Sequence, residues 1–115
     1  MEHIRFIRKI SPIIGLSKTD FEIIVSLSEG QKLLVSEIAQ HIKRSKRHVY
    51  QRLHSLLEKG LLERELEVLK NKRIAYRYYL RSIRSIAEEI RIYLLKKIAE
   101  LDDIVMEQKR VPGRV

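Results

Sequence analysis

The sequence contains no cysteine and no tryptophan, and among its 115 residues only two prolines, four glycines and two phenylalanines. The missing cysteines exclude a disulfide scaffold and any thiolate zinc or iron–sulfur site. No apolar run approaches the ~20 residues that a membrane-spanning helix needs. The opening MEHIRFIRKISP alternates charged with apolar residues and lacks the apolar centre and small-residue cleavage site of a signal peptide. These absences predict an intracellular, cytoplasmic protein with no membrane partner. The length predicts one domain, 1–115, with too little chain for a multidomain enzyme.

Positive charge is abundant. Lys and Arg number 24 against 15 Asp and Glu, a net charge of +9, and such an excess points to a polyanion as partner. Distribution says more than the total. Between Glu37 and Glu58 there is no acid, yet Lys43, Arg44, Lys46, Arg47 and Arg52 lie there. Between Glu67 and Glu88 there is again none, yet Lys70, Lys72, Arg73, Arg77, Arg81 and Arg84 lie there. Eleven cations thus fall in two windows, and the rest of the chain is nearly balanced, which favours a defined binding surface over charge used for solubility alone.

Periodicity divides the chain. Ile4, Ile7 and Ile10 have helical spacing, and Pro12 is expected to end that helix. Ser17 with Asp20 reads as the N-cap pair of a second helix carrying Phe21, Ile24 and Val25, with Gly30 as its C-cap. Another helix is expected to be capped by Ser36 and to carry Ile38, Ala39 and Ile42. Ser45 begins the next, where Val49, Leu53, Leu56 and Leu57 form one face and Gly60 ends it. The period then becomes two: Leu62, Arg64, Leu66 and Val68 alternate with Glu63, Glu65 and Glu67, and Ile74, Tyr76, Tyr78 and Leu80 alternate in turn. This predicts a half-buried hairpin around KNKR. An odd loop of three residues is expected, because it keeps both apolar sets on one face. Ser85 with Glu88 matches a capping box for a final helix over about 82–110, closed by Pro112 and Gly113. Its stripe includes Ile86, Ile90, Leu94, Ile98, Leu101 and Val105.

After the short first helix, the order of three helices, a hairpin and a long helix describes a mainly α fold with a β-hairpin wing. The segment VSEIAQHIKRSKRHVYQRLHSLLEKGLL resembles the helix-turn-helix of archaeal and bacterial winged-helix regulators, most closely the TrmB-like group and the related MarR-like group. The resemblance lies in Ile38-Ala39, in Ser45, in Val49, Leu53 and Leu56, and in Glu58-Lys59-Gly60-Leu61-Leu62. It implies a winged helix-turn-helix core over 16–80 and a C-terminal dimerisation helix over 82–110. The chain departs from the family at the turn, where Lys43 and Arg44 replace Gly and an aliphatic residue. Lys43 is expected to take a left-handed conformation and both side chains to reach outward, with some change in the turn.

The resemblance also implies that the helix from Ser45 enters the major groove of double-stranded DNA while the wing touches backbone or minor groove. Lys46, Arg47, Tyr50, Gln51 and His54 would then face the groove, with Arg47 and Gln51 suited to guanine and adenine edges. Lys43, Arg44 and Ser45 would hold phosphates, and Lys70, Lys72 and Arg73 would sit at the wing tip. Tyr50 has a half-buried alternative. A homodimer through Ile86, Ile90, Leu94, Ile98, Leu101 and Val105 would suit a pseudo-palindromic site. The function expected is a transcriptional regulator, most simply a repressor, associated with the nucleoid. Its alternatives are a DNA-coating architectural protein and a winged helix used for protein contacts. No catalytic arrangement, cofactor or effector site is recognisable, and His41, His48 and His54 lack the spacing of a helical zinc pair. Glu63, Glu65 and Glu67 are expected to pair with basic side chains of the neighbouring strand.

Overall fold

The computed structural model describes residues 2–110, with the side chain of Arg110 excepted. The elements are α1 (Glu2–Ile14), α2 (Lys18–Ser26), β1 (Leu33–Leu34), α3 (Val35–Ile42), α4 (Lys46–Glu58), β2 (Leu62–Val68), β3 (Ile74–Leu80) and α5 (Ile83–Arg110). This is a winged helix-turn-helix. The strands form one antiparallel sheet in the order β1-β3-β2. The two-residue β1 has no sequence signal of its own, because two leucines are too few to show a period. It pairs Leu33 with Tyr78 and ties α3 to the wing.

Several boundaries differ from the sequence reading. Pro12 lies inside α1 and does not end it. A proline near the last turn removes one hydrogen bond, and the buried Ile14 holds the turn in place. The helix ends instead at Gly15, whose φ is +65° and whose N–H donates to the Ser11 carbonyl at 2.9 Å. Gly30 is not the C-cap of α2, which is Leu27; it lies in the turn that follows. Helix α3 starts one residue before Ser36, and its free end is satisfied by Glu37, which accepts from the Leu34 N–H at 2.9 Å. On α5 the cap is Ser82, not Ser85: Ser85 N–H donates to Ser82 Oγ at 3.1 Å, while Glu88 pairs with Arg91. The expected closure at Pro112 and Gly113 lies outside the described residues.

Other local expectations hold. Ser17 and Asp20 form a capping box on α2. Ser45 Oγ accepts from the His48 N–H at 3.1 Å at the start of α4. Gly60 follows α4 with φ +79°. A methyl group there would meet Glu89 Cβ and Cγ at 2.6 Å, so the position also brings α5 close to the start of the wing. The core is built from Ile7 of α1, Ile23, Ile24 and Leu27, Ile38 and Ala39 of α3, and Val49, Leu53 and Leu56 of α4. Leu61, Leu62, Tyr78, Ile86 and Ile90 complete it.

Candidate nucleic-acid interface

The turn between α3 and α4 comprises residues 43–45. Lys43 adopts the left-handed conformation expected of it, at φ 56°. The N–H groups of Lys43 and Arg44 both donate to the Ala39 carbonyl, closing the end of α3. Helix α4 then buries Val49, Leu53 and Leu56 and turns the opposite face outward. Lys43, Arg44, Ser45, Lys46, Arg47, Tyr50, Gln51 and His54 are all exposed, which decides Tyr50 in favour of the surface.

Exposure does not mean that each cation is free. Arg44 Nη2 pairs with Glu22 of α2 at 3.0 Å. Arg52 grips Asp20 with two bonds, Nε to Oδ1 at 2.7 Å and Nη2 to Oδ2 at 2.8 Å. Burial by itself raises the Asp20 carboxyl pKa. The Arg52 bond, the Ser17 N–H and the Arg52 charge together outweigh it and hold the group below its ordinary value. His48 is bonded to Thr19 Oγ1 at 3.3 Å, and His54 lies 3.1 Å from Glu58 one turn on.

The wing shows the same pattern. The register pairs Leu62 with Leu80, Leu66 with Tyr76 and Val68 with Ile74. Leu69 N–H donates to the Arg73 carbonyl at 2.8 Å, so the loop is the odd one expected, residues 70–72. Lys72 is left-handed at φ 64°, and Asn71 Oδ1 accepts from the Arg73 N–H at 3.1 Å. All three glutamates of β2 are engaged, Glu67 by Arg77 of the neighbouring strand and Glu63 by Arg81 at its end as expected, but Glu65 by Lys32, which lies before β1 and not on β3. Glu67 takes Arg77 Nε at 2.6 Å, Glu63 takes Arg81 at 3.6 Å and the Tyr79 hydroxyl at 2.9 Å, and Glu65 takes Lys32 at 3.3 Å. Arg77 also reaches Glu37 and Arg81 also reaches Glu89. The hairpin is not half-buried: only its base, Leu62 and Tyr78, reaches the core, while Leu66, Val68 and Ile74 are exposed. The helical layer ends beneath Tyr78, and nothing among the described residues covers the outer part of the hairpin.

Four of the eleven window cations, Arg44, Arg52, Arg77 and Arg81, are therefore held by acids from distant parts of the chain. The other seven, Lys43, Lys46, Arg47, Lys70, Lys72, Arg73 and Arg84, are exposed and make no ion pair among the described residues. Sequence reasoning passed over Arg64, whose guanidinium lies 4.1 Å from the centre of the Tyr76 ring on the apolar face of the wing. Its place in the apolar phase of β2 was the available signal.

On α5, Ile86 and Ile90 belong to the chain's own core and are not open to a second copy. They are covered by α1, where Ile7 is wholly buried, so the short first helix takes part of the stripe as expected. From Arg91 to Lys109 every residue is exposed, including Leu94, Ile98, Leu101 and Val105.

A helix-turn-helix with a hairpin wing and an outward cationic helix defines the class of winged-helix DNA-binding regulators. The chain belongs to the TrmB family: the family model described as "Sugar-specific transcriptional regulator TrmB" matches residues 10–81, from the end of α1 through the wing. No curated protein matches the sequence. Among solved structures, a possible transcriptional regulator from Methanosarcina mazei is 19% identical with a TM-score of 0.65, over 88% of this chain and 86% of that chain. A MarR-family regulator from Silicibacter pomeroyi is 20% identical with a TM-score of 0.54, over 96% and 70%. AbfR, in its reduced form bound to DNA, is 18% identical with a TM-score of 0.54, over 90% and 84%. No helix among the described residues is long and apolar enough to cross a membrane.

Proposed function

We propose that this chain is a sequence-specific transcriptional regulator, most simply a repressor, that binds double-stranded DNA as a homodimer in the nucleoid. The observation that carries the reading is the outward face of α4 with its turn. Lys43, Lys46, Arg47 and Gln51 project there without acidic partners among the described residues, beside and along a helix whose other face is the core. The likeness to AbfR, which is bound to DNA in its structure, supports the same use of the fold.

In this reading α4 enters the major groove. Arg47 and Gln51 read base edges, and Lys43, Ser45 and Lys46 hold phosphates. Tyr50 and His54 flank them, and Lys70, Lys72 and Arg73 follow the adjacent backbone or minor groove. Arg44 contributes less than Lys43, because Glu22 already neutralises it. The chain acts as one domain, a core over 16–80 with the α5 arm. Leu94, Ile98, Leu101 and Val105 follow one another at intervals of four, three and four residues, which is the seam of a helical pair. Pairing two copies along this seam gives the two-fold symmetry of a pseudo-palindromic site with half-sites about one turn (~34 Å) apart.

A gel-shift titration against own-promoter and random duplexes across salt tests the reading. Tighter binding to promoter DNA is expected. Equal affinity for both would make the protein an architectural coat, and no binding at low salt would leave only protein contacts. Within this reading Arg47→Ala lowers the promoter-to-random ratio, whereas Lys72→Ala weakens both duplexes alike. An unchanged ratio for Arg47→Ala would remove that residue from base readout.

A further inference from the structure

The two faces of the wing differ in chemistry. One carries Glu63, Glu65, Glu67 and Arg77, all joined in ion pairs, and Arg77 also reaches back to Glu37 of α3. The other carries Leu66, Val68, Ile74 and Tyr76. Leu66 is 57% exposed, Val68 68% and Ile74 65%. The cross-strand register sets Leu66 beside Tyr76 and Val68 beside Ile74, so these side chains make one continuous patch. Such a patch on an isolated hairpin costs solubility unless something covers it.

The patch adjoins a groove of about 450 Å³ between the wing and α4. Leu34 and Val35 line the groove on the α3 side, Ile74 and Tyr76 form its wing wall, and Lys46 and Tyr50 form its α4 wall. Arg73 also borders it. Burial raises the Tyr78 phenol above its ordinary pKa, so the hydroxyl at the base of the groove is neutral. Every acid of residues 62–80 belongs to the opposite face, and Arg64, stacked on Tyr76, adds a further cation on this one.

We propose that this apolar face and groove receive one sugar–phosphate strand of duplex DNA. The apolar side chains lie against deoxyribose, and Lys46, Arg64 and Arg73 flank the strand at its phosphates. The proposal rests on the reading of the chain as a DNA-binding regulator and extends it from the cationic wing tip to the body of the wing. A nucleic-acid strand alternates apolar sugar edges with phosphate charges, and this surface presents apolar side chains edged by cations. A second copy of the same face would set Lys46, Arg64 and Arg73 against their own counterparts with no acid between them, which is unfavourable. Part of the affinity then comes from apolar burial and does not respond to salt, unlike the counterion-release part contributed by lysines and arginines.

The test uses the full chain and fluorescence anisotropy with promoter and random duplexes over a range of salt. Leu66→Thr with Ile74→Thr keeps strand-forming residues at exposed positions, so the fold is retained, and an unchanged thermal melt verifies it. The double variant is expected to bind about ten-fold more weakly at every salt concentration, with a slope of log affinity against log salt parallel to wild type. Lys72→Ala, in contrast, is expected to flatten that slope by about 0.9. Unchanged affinity in the double variant overturns the proposal, as does a loss that appears only with a changed slope. Unchanged affinity together with lost self-association would assign the face to a second copy. If wild type binds neither duplex, the regulator reading itself fails, a result distinct from wild type binding and the double variant binding equally well.

Discussion

Asp20 is a carboxylate with no exposed surface, held by the Ser17 N–H and by Nε and Nη2 of Arg52. It caps α2 and at the same time joins the start of α2 to the middle of α4. Its folded pKa lies below the unfolded value of ~3.9, so its stabilising contribution is complete above that value and is lost as pH falls through the folded pKa. Asp20→Asn is expected to lower stability at pH 7 by about 1–3 kcal/mol and to remove this part of the acid sensitivity. Urea melts at pH 7 and near pH 3 check both, and an equal loss at the two values would refute the linkage. Lys43 carries a different cost, a left-handed backbone on a residue with a Cβ. Lys43→Gly should raise the melting temperature by about 4 °C, corresponding to ~1 kcal/mol, while weakening DNA binding through loss of a cation. A protein that gained neither stability nor a DNA defect would contradict both roles given to Lys43.

At the scale of elements, α4 depends on its two ends. Ser45→Ala removes the bond to His48 N–H and should cost about 1 kcal/mol. Gly60→Ala should cost more, about 2 kcal/mol or above, because φ is +79° and the new methyl overlaps the Glu89 side chain. Thermal denaturation of the two variants ranks them, and the reverse order would show that α5 yields easily at Glu89. The cap at Ser45, the left-handed positions and the hairpin parity were legible in the sequence, since each depends on residues within a few positions of each other, unlike the caps of α3 and α5, which the sequence reading set at Ser36 and Ser85. Pro12 and β1 were not. Pro12 stays helical because Ile14 is buried beyond it, and β1 exists because β3 offers it an edge.

Across the whole molecule, α5 extends the chain to 66 Å along its longest axis. From Arg91 to Lys109 every residue on it is exposed. Leu94→Glu with Leu101→Glu is expected to convert a homodimer into a monomer in sedimentation, with little change in the melt of the core. It should also weaken binding to a two-half-site duplex far more than to a single half-site. A wild-type protein that sediments as a monomer at high concentration would remove the dimer from the reading. The net charge of +9 belongs to this scale as well. Seven unpaired cations stand on or beside the turn, α4, the wing tip and the start of α5, so DNA affinity is expected to fall steeply with salt.

The sequence by itself determined the succession of the helices and the hairpin, the caps at Ser17 and Ser45, the register of the wing and the family, because each rests on short-range spacing or on local residue types. Tertiary structure alone decided which charges are available. An acid-free stretch of chain is not an acid-free surface: Glu22, Asp20, Glu37 and Glu89 arrive from elsewhere to hold Arg44, Arg52, Arg77 and Arg81. It also decided which apolar residues are covered. Alternation assigns Leu66 and Ile74 to one face and periodicity assigns Ile86 and Leu101 to one stripe. Only the placement of neighbouring elements leaves the wing face and the outer part of α5 open while closing over Ile86, because burial depends on what packs opposite and not on the pattern within a segment.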